Sequence, residues 1–468
     1  MNESEASLRN TAGARRAVAL QIGGLLVAAT ALAARWALGH VTSPVPPGLV
    51  ILLVAAGLLL ALRRPVTVLI AIGAGAFMAF QLLFDADPAV LRGSAGGAVA
   101  TVLWIELAGV LVAMFAGIAA LIAVQRAAHR GTSDPWDWRP LVQVAGLLVL
   151  APICAEYLSA YDESTGQPGQ LLTNLIIFIP LYGCPALLIR EAARRWGLGW
   201  PGIFLLAAAF GLTQAGLVDQ SLFSVDYRGI DGWEEGYQAT LVPALGISVF
   251  NAVNFVGGHV AFSMAAPIAL VEAARPATAR TPWLTRRALV VVAVGYLGAS
   301  ALVLNVHLTT EASHASPAQL IITAILVLAL ITLAVLGRGW HPAPLTRRAP
   351  GLWLTFLITL VIVSLDAFAT ETWVGTAMAV AAYGLAGSFL FHASRLVGWS
   401  VAHIAVVAAV PLLVRAVLAF TYDPLIGEVS EVAKYGHNLV MLAVVLLATT
   451  LALRPRLRRS TREPVPVA

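Results

Sequence analysis

The chain has 468 residues, of which 59% are hydrophobic and 11% charged, and its mean hydropathy is +0.85. That balance excludes a soluble multidomain protein and describes a chain that spends most of its length in a bilayer. The formal charge of +5 comes from 29 basic residues against 24 acids, and Lys434 is the single lysine; the arginine bias points to a GC-rich genome, and the charge reads as membrane topology rather than nucleic-acid binding.

Crossing roughly 30 Å of hydrocarbon takes about twenty apolar residues. Fourteen stretches qualify. Those at 17–38, 46–62, 66–84 and 98–124 form an N-terminal group of four helices, 17–124. Those at 141–160, 171–190, 201–218 and 244–273 form a second group, 140–275. Six more, at 284–306, 318–336, 352–369, 374–391, 397–420 and 436–453, fill 284–453, and a basic tail occupies 454–468. No small-residue cleavage site precedes Trp36, so the first stretch is expected to stay as a span. The longest interval, 219–238, has only about twenty residues, too few to fold alone. The expected fold is therefore an all-α polytopic bundle of about fourteen transmembrane helices forming a single integral membrane domain. Twenty-four of the 29 basic residues fall in alternate intervals and the acids collect in the others, which sets both termini in the cytoplasm. Membrane lipids are the expected partner, nucleic acid is not, and the expected location is the bacterial plasma membrane.

The second group carries most of the interior polar residues: Gln143, Cys154, Glu156, Cys184, Thr213, Gln214, Asn251, Asn254, His259 and Ser263. A polar side chain in hydrocarbon must find a partner or line a wet cavity, so function is sought there. Cys154 and Cys184 differ in depth by roughly 12 Å along successive helices, which disfavours a disulfide. The stretch 244–273 would be about 45 Å long as one helix. It must tilt, protrude or break, and Gly257-Gly258 is its weak point. His259 follows at mid-depth, where an ionisable residue is costly and reads as functional. Asn251, Asn254 and Gly258 share a face with His259 about 80° away; a packing seam or a binding surface accounts for the asparagines.

Glu156, Gln214 and Arg415 are placed toward the outer ends of their stretches, and Glu106 in the outer half of its own. Either acid is a candidate partner for Arg415, as a structural ion pair or as the wall of an outward-facing cavity. The acidic, aromatic interval 219–238, with Phe223, Tyr227, Trp233 and Tyr237, is a candidate lid, and an interfacial aromatic belt accounts for the same residues. His307, Glu311 and His314 would line one face if helical, but their spacing matches no recognised site and no metal is expected. Asp85 and Asp87 look like the acidic outer loops of polyprenol-dependent glycosyltransferases, and equally like an ordinary helix end.

Glu191-Ala-Ala-Arg-Arg195 supplies an ExxxR motif, and Phe255 to His259 supplies FxxxH. In these residues, within about 140–275, the chain resembles the CAAX-protease and bacteriocin-processing (CPBP) intramembrane proteases. The resemblance implies water activation by His259 with Glu156 or Glu191 as the catalytic set. Arg190 stands where that family has its first glutamate, and none of His307, His392, His403 and His437 has an asparagine four residues on. A non-catalytic or divergent relative is therefore implied. The region also looks like bacterial membrane proteins that carry a glutamate pair where this chain has Gln214-Ala215. Two other expectations stand beside it. One is a transporter or lipid flippase with an outward-facing polar cavity, using Glu106, Glu156 and Arg415, with Gln214, Asn251 and Asn254 as binding residues. The other is a non-catalytic scaffold. No motif assigns a cofactor.

Overall fold

A computed structural model of the protein describes residues 12–40, 46–62, 65–80, 82, 96–129, 139–340 and 342–460. Asp85, Asp87 and residues 461–468 of the tail lie outside them. The regular structure of the described residues is helical apart from one two-stranded antiparallel pair, Leu241–Val242 with Ile247–Ser248, and a single parallel bridge between Arg348 and Val397. Ten of its helices are long and apolar enough to cross a membrane. Four shorter apolar helices, Gly48–Ala61, Thr67–Ala79, Leu141–Tyr157 and Leu352–Ala367, coincide with the second, third, fifth and eleventh stretches read from the sequence.

The chain forms two compact units, Met1–Arg139 and Pro140–Ala468. The first is built from α1 (Ala12–Ala37), α2 (Pro47–Leu62), α3 (Pro65–Phe80) and α4 (Gly97–His129). Helices α1 and α4 meet backbone to backbone at two glycines. A Cβ on Gly24 would lie 2.6 Å from the Gly109 carbonyl oxygen, and one on Gly109 would lie 2.8 Å from the Ala28 nitrogen. In lipid there is no hydrophobic drive between helices, and small residues that permit such approach supply the contact instead. Gln21 is satisfied inside this unit by donating to the Val68 carbonyl at 3.1 Å.

The second unit begins with α5 (Arg139–Pro152) and continues through α6 (Pro168–Phe178), α7 (Cys184–Trp196), α8 (Gly199–Thr213), the short α9 (Trp233–Ala239), α10 (Val249–Gly258) and α11 (Ala266–Ala274). Then come α12 (Arg286–Thr310), α13 (Pro317–Leu336), α14 (Leu352–Ala367), α15 (Trp373–Ala393), α16 (Val401–Leu418) and α17 (Glu431–Ser460). Helices α12 and α13 face outward along most of their length, exposing Val290, Val294, Leu297, Ile321, Ile325 and Leu328, as lipid-facing helices do.

Four π-helical turns interrupt the second unit: Ile153–Tyr157 after α5, Ile179–Gly183 between α6 and α7, Gln214–Val218 after α8, and His259–Ala265 between α10 and α11. The widened turns show in i→i−5 bonds, Leu158 N–H to Ile153 O at 3.0 Å and Asp219 N–H to Gln214 O at 3.0 Å. Each has a proline or glycine at hand to loosen the ordinary ladder: Pro152, Pro180, Gly211 with Gly216, and Gly257-Gly258. At the first, Pro152 lacks the N–H that would bond the Leu148 carbonyl. Gly183 rests on that freed carbonyl, and a Cβ there would overlap its oxygen and lie 2.8 Å from the Leu148 Cα. The bend of one helix thus fits the bare backbone of the next.

Candidate functional site

A π turn shifts every following side chain around the helix by one position, and such turns often mark functional residues. Here the four turns carry Glu156, Tyr182, Gln214 and His259. Glu156 is buried, and its carboxylate accepts the Tyr161 hydroxyl at 2.6 Å. The Tyr182 hydroxyl is a second donor directed at it. The chain reverses at Ala160, which holds the left-handed φ of +48°, a conformation uncommon for alanine. That reversal carries Tyr161 back over Glu156. Three contacts fix it: Tyr422 donates to the Ser159 carbonyl at 2.6 Å, Leu425 N–H to the Tyr161 carbonyl at 2.8 Å, and His437 Nε2 meets the Tyr157 carbonyl at 2.8 Å.

Asp219 closes the third π turn. Its carboxylate accepts the Ser221 N–H at 3.0 Å and the Gln214 amide at 3.4 Å, and its charge acts on Glu156. Burial pushes the Asp219 carboxyl above the ordinary aspartate range, against the pull of the Ser221 and Gln214 hydrogen bonds. Among the described residues, no basic side chain pairs with Glu156 or Asp219. The interval 219–238, which Asp219 opens, is folded rather than loose. Tyr237 is fully buried and donates to the carbonyls of Leu222 at 3.0 Å and Gly246 at 2.7 Å. Trp233 donates to the Ser224 carbonyl at 3.0 Å and stacks on Phe255 with ring centroids 6.0 Å apart. Arg228 reaches both Glu163 carboxylate oxygens at 3.2 Å. Burial beside Asp219 also raises the Tyr227 hydroxyl well above its usual range.

His259 stands on the same aromatic wall. Its ring lies 5.9 Å from Tyr182 and 5.4 Å from Phe210, centroid to centroid, and Nδ1 is 3.1 Å from the Ser263 hydroxyl. Tyr182 is therefore shared between Glu156 and His259. Asn251 is buried in the first turn of α10, where the Ser248 hydroxyl caps its N–H at 3.3 Å, whereas Asn254 is exposed.

Glu191 is placed elsewhere. It lies nine residues beyond Tyr182, roughly 13 Å along the helix, and its acceptor capacity is taken up. Arg190 Nη1 reaches Oε1 at 2.6 Å, Arg195 Nη2 reaches Oε2 at 3.0 Å, and the N–H groups of Trp283 and Leu284 add bonds of 2.7 and 3.2 Å. Arg190 is fully buried, lies over the Trp283 ring at 3.5 Å, and bonds Glu272 at 3.0 Å and the carbonyls of Thr278 and Ala279 at 3.1 Å. Arg194 grips Glu272 with two bonds, at 2.8 and 2.5 Å. This network pins the 276–285 connection to α7.

Glu106 belongs to the first unit and pairs there with Arg35 at 2.7 Å. Arg415 has no carboxylate partner among the described residues. Its guanidinium lies over Phe262, 4.6 Å from the ring centroid. Of its two expected partners, Glu106 is paired within the first unit by Arg35 and Glu156 is held by the Tyr161 hydroxyl instead. The helix of His307 ends at Thr310, so Glu311 and His314 leave it, although the His314 ring returns to 5.4 Å from that of His307. Glu311 instead accepts the Arg228 N–H at 3.2 Å. Tyr161, Tyr182 and Asp219 were missed by sequence reasoning. Tyrosines in apolar stretches read as packing, and Asp219 read as part of an acidic loop; the proline or glycine beside every turn is the signal that would have pointed to them.

Fold and composition together define a multi-pass, all-helical integral membrane protein. The sequence model of an uncharacterized membrane protein family matches residues 146–457, two-thirds of the chain, and the protein belongs to that family. No curated protein and no solved structure matches the chain.

Proposed function

We propose that this protein is a transporter or lipid translocase whose Glu156–Asp219 pair exchanges a proton or small cation with an aqueous side. The observation that carries the reading is a buried carboxylate, Glu156, set on a π turn, held by tyrosine hydroxyls, next to a second, partly buried acid, with no basic partner among the described residues. Two acids without a counter-cation form a site for a positive species rather than a structural ion pair. The four π turns supply helices with weakened ladders, as the broken helices of transporters do. Infrared spectroscopy of the protein in lipid tests this. A protonated-carboxyl band that titrates with pH and vanishes in Glu156→Gln supports it; a spectrum unchanged by the substitution overturns it.

The same reading takes all fourteen apolar helices as crossings in a plasma membrane, with both termini in the cytoplasm and the Glu156 end outside. Alkylation of single cysteines at positions 163 and 226 by an impermeant reagent on intact cells tests the orientation.

A second reading is favoured by His259, which sits between Tyr182 and Ser263 on its FxxxH segment. It makes the protein a divergent, non-catalytic relative of CPBP-type proteases. Glu191, the acid of the ExxxR motif, is committed to four donors, two arginines of its own helix and two N–H groups of the 276–285 connection, which supports structural use over water activation. Full complementation of a deletion strain by His259→Ala would support that non-catalytic reading, and its failure with a folded protein would count against it.

A further inference from the structure

Arg415 on α16 and Asp366 on α14 have side chains of opposite charge type, and the Arg415 charge is felt at Asp366, yet they stay apart: no nitrogen–oxygen distance between them falls within 4.0 Å. Each is held back by a neighbour. The Arg415 guanidinium lies against Phe262, and Asp366 Oδ2 accepts the Tyr383 hydroxyl at 3.5 Å. Asp366 Oδ1 and Arg415 Nε are both buried without a hydrogen-bond partner. The surroundings of Tyr383, the partner of Asp366, are built closely. A Cβ on Gly257 would overlap the Tyr383 ring, so α10 presents bare backbone to α15 beside the pair. The Arg415 charge also reaches His259 and Tyr422.

Two opposite charges in a low-dielectric setting gain most by closing onto each other, and a buried charged atom left unbonded is costly. Separated and fixed charges with unbonded atoms make a two-point receptor. An anion alone would satisfy Arg415 and be repelled by Asp366, and a cation alone would do the reverse. A molecule with both satisfies both.

We propose that Asp366 and Arg415 bind a zwitterion, its ammonium on Asp366 Oδ1 and its phosphate or carboxylate on Arg415 Nε, with Tyr383 orienting the aspartate. The site is separate from the Glu156–Asp219 pair and does not depend on the role proposed for that pair. The ligand is either a zwitterionic lipid head group or a free small zwitterion. Exposed Val361 on α14, Phe368 at its C-cap and Val417 on α16 suit the acyl chains of the former.

The test uses the full-length protein in nanodiscs and in detergent. Native mass spectrometry compares binding of phosphatidylethanolamine with phosphatidylglycerol, and calorimetry compares free phosphoethanolamine and glycine with glycerol phosphate. The expected result is about tenfold preference for the zwitterion in one pair, the worth of one charge-assisted hydrogen bond. Preference in the lipid pair alone identifies a head group; preference in the free pair identifies a solute. Asp366→Asn should abolish the preference while leaving the phosphate-bearing anion bound, and Arg415→Gln should weaken both members of the pair. Asparagine keeps the shape of the site, so the preference is readable even where Arg415→Gln fails to fold. Equal binding of zwitterion and anion by the wild type, or a preference that survives Asp366→Asn, would overturn the proposal.

Discussion

Tyr161 donates its hydroxyl to Glu156 at 2.6 Å across the reversal at Ala160. The bond ties the end of one apolar helix to the segment that leaves it, and it decides where the carboxylate points. Tyr161→Phe removes only the hydroxyl. The expected loss is about 1–3 kcal/mol of stability, the range for a hydrogen bond to a charged or buried group, seen as a lower midpoint of thermal unfolding in detergent. Tyr422→Phe, which frees the Ser159 carbonyl on the same reversal, should act in the same direction.

Asp219 has a folded-state value raised by burial. The folded state then holds a proton at pH values where the unfolded chain, titrating near 3.9, has lost it. Its contribution to stability is fully present below about pH 3.9 and is lost as pH rises through the folded value. Asp219→Asn removes that dependence. The expected outcome is a flatter unfolding midpoint against pH on the alkaline side of the unfolded value, with stability at neutral pH equal to or above that of the wild type.

The Arg190–Glu191–Glu272 network is buried and hydrogen-bonded on nearly every polar atom. Removing one member leaves an uncompensated charge, which costs about 3–5 kcal/mol. Glu191→Gln and Glu272→Gln should both lower the yield of folded protein, and a double-mutant cycle with Arg190→Met should show strong coupling. An unchanged midpoint in Glu191→Gln would free this residue for a chemical role.

Gly257 and Gly183 are close-approach positions. Gly257→Ala drives a methyl group into the Tyr383 ring, and overpacking of this kind costs about 1–3 kcal/mol. Tyr383→Ala should relieve most of it, since the ring is the obstacle. Gly183→Ala meets the Leu148 backbone instead, and no single side-chain substitution should rescue it.

Trp233 holds the 219–238 interval down through the Phe255 stack and the Ser224 bond. Trp233→Ala should leave the membrane helices intact while raising the rate of limited proteolysis within that interval, as local opening becomes easier. Equal cleavage rates in the two proteins would show that Tyr237 alone anchors it.

The sequence by itself settles that this chain lives in a bilayer, because hydrocarbon solvent demands apolar runs of fixed length and nothing else has this composition. It also marks Glu156, Gln214 and His259, since polar groups are costly in such runs and stand out against them. Tertiary structure alone decided their partners. Glu106 finds Arg35 across 71 residues, and Glu191 is closed by N–H groups 92 and 93 residues away. Arg415 is left against Phe262, and Tyr182, shared by Glu156 and His259, joins three of the four bends. Apolar periodicity reports which residues avoid water, but hydrogen bonds and charge pairs depend on which helix faces which. In lipid that pairing is chosen by close backbone contact at residues such as Gly183 and Gly257, whose positions carry no signal until the helices are packed.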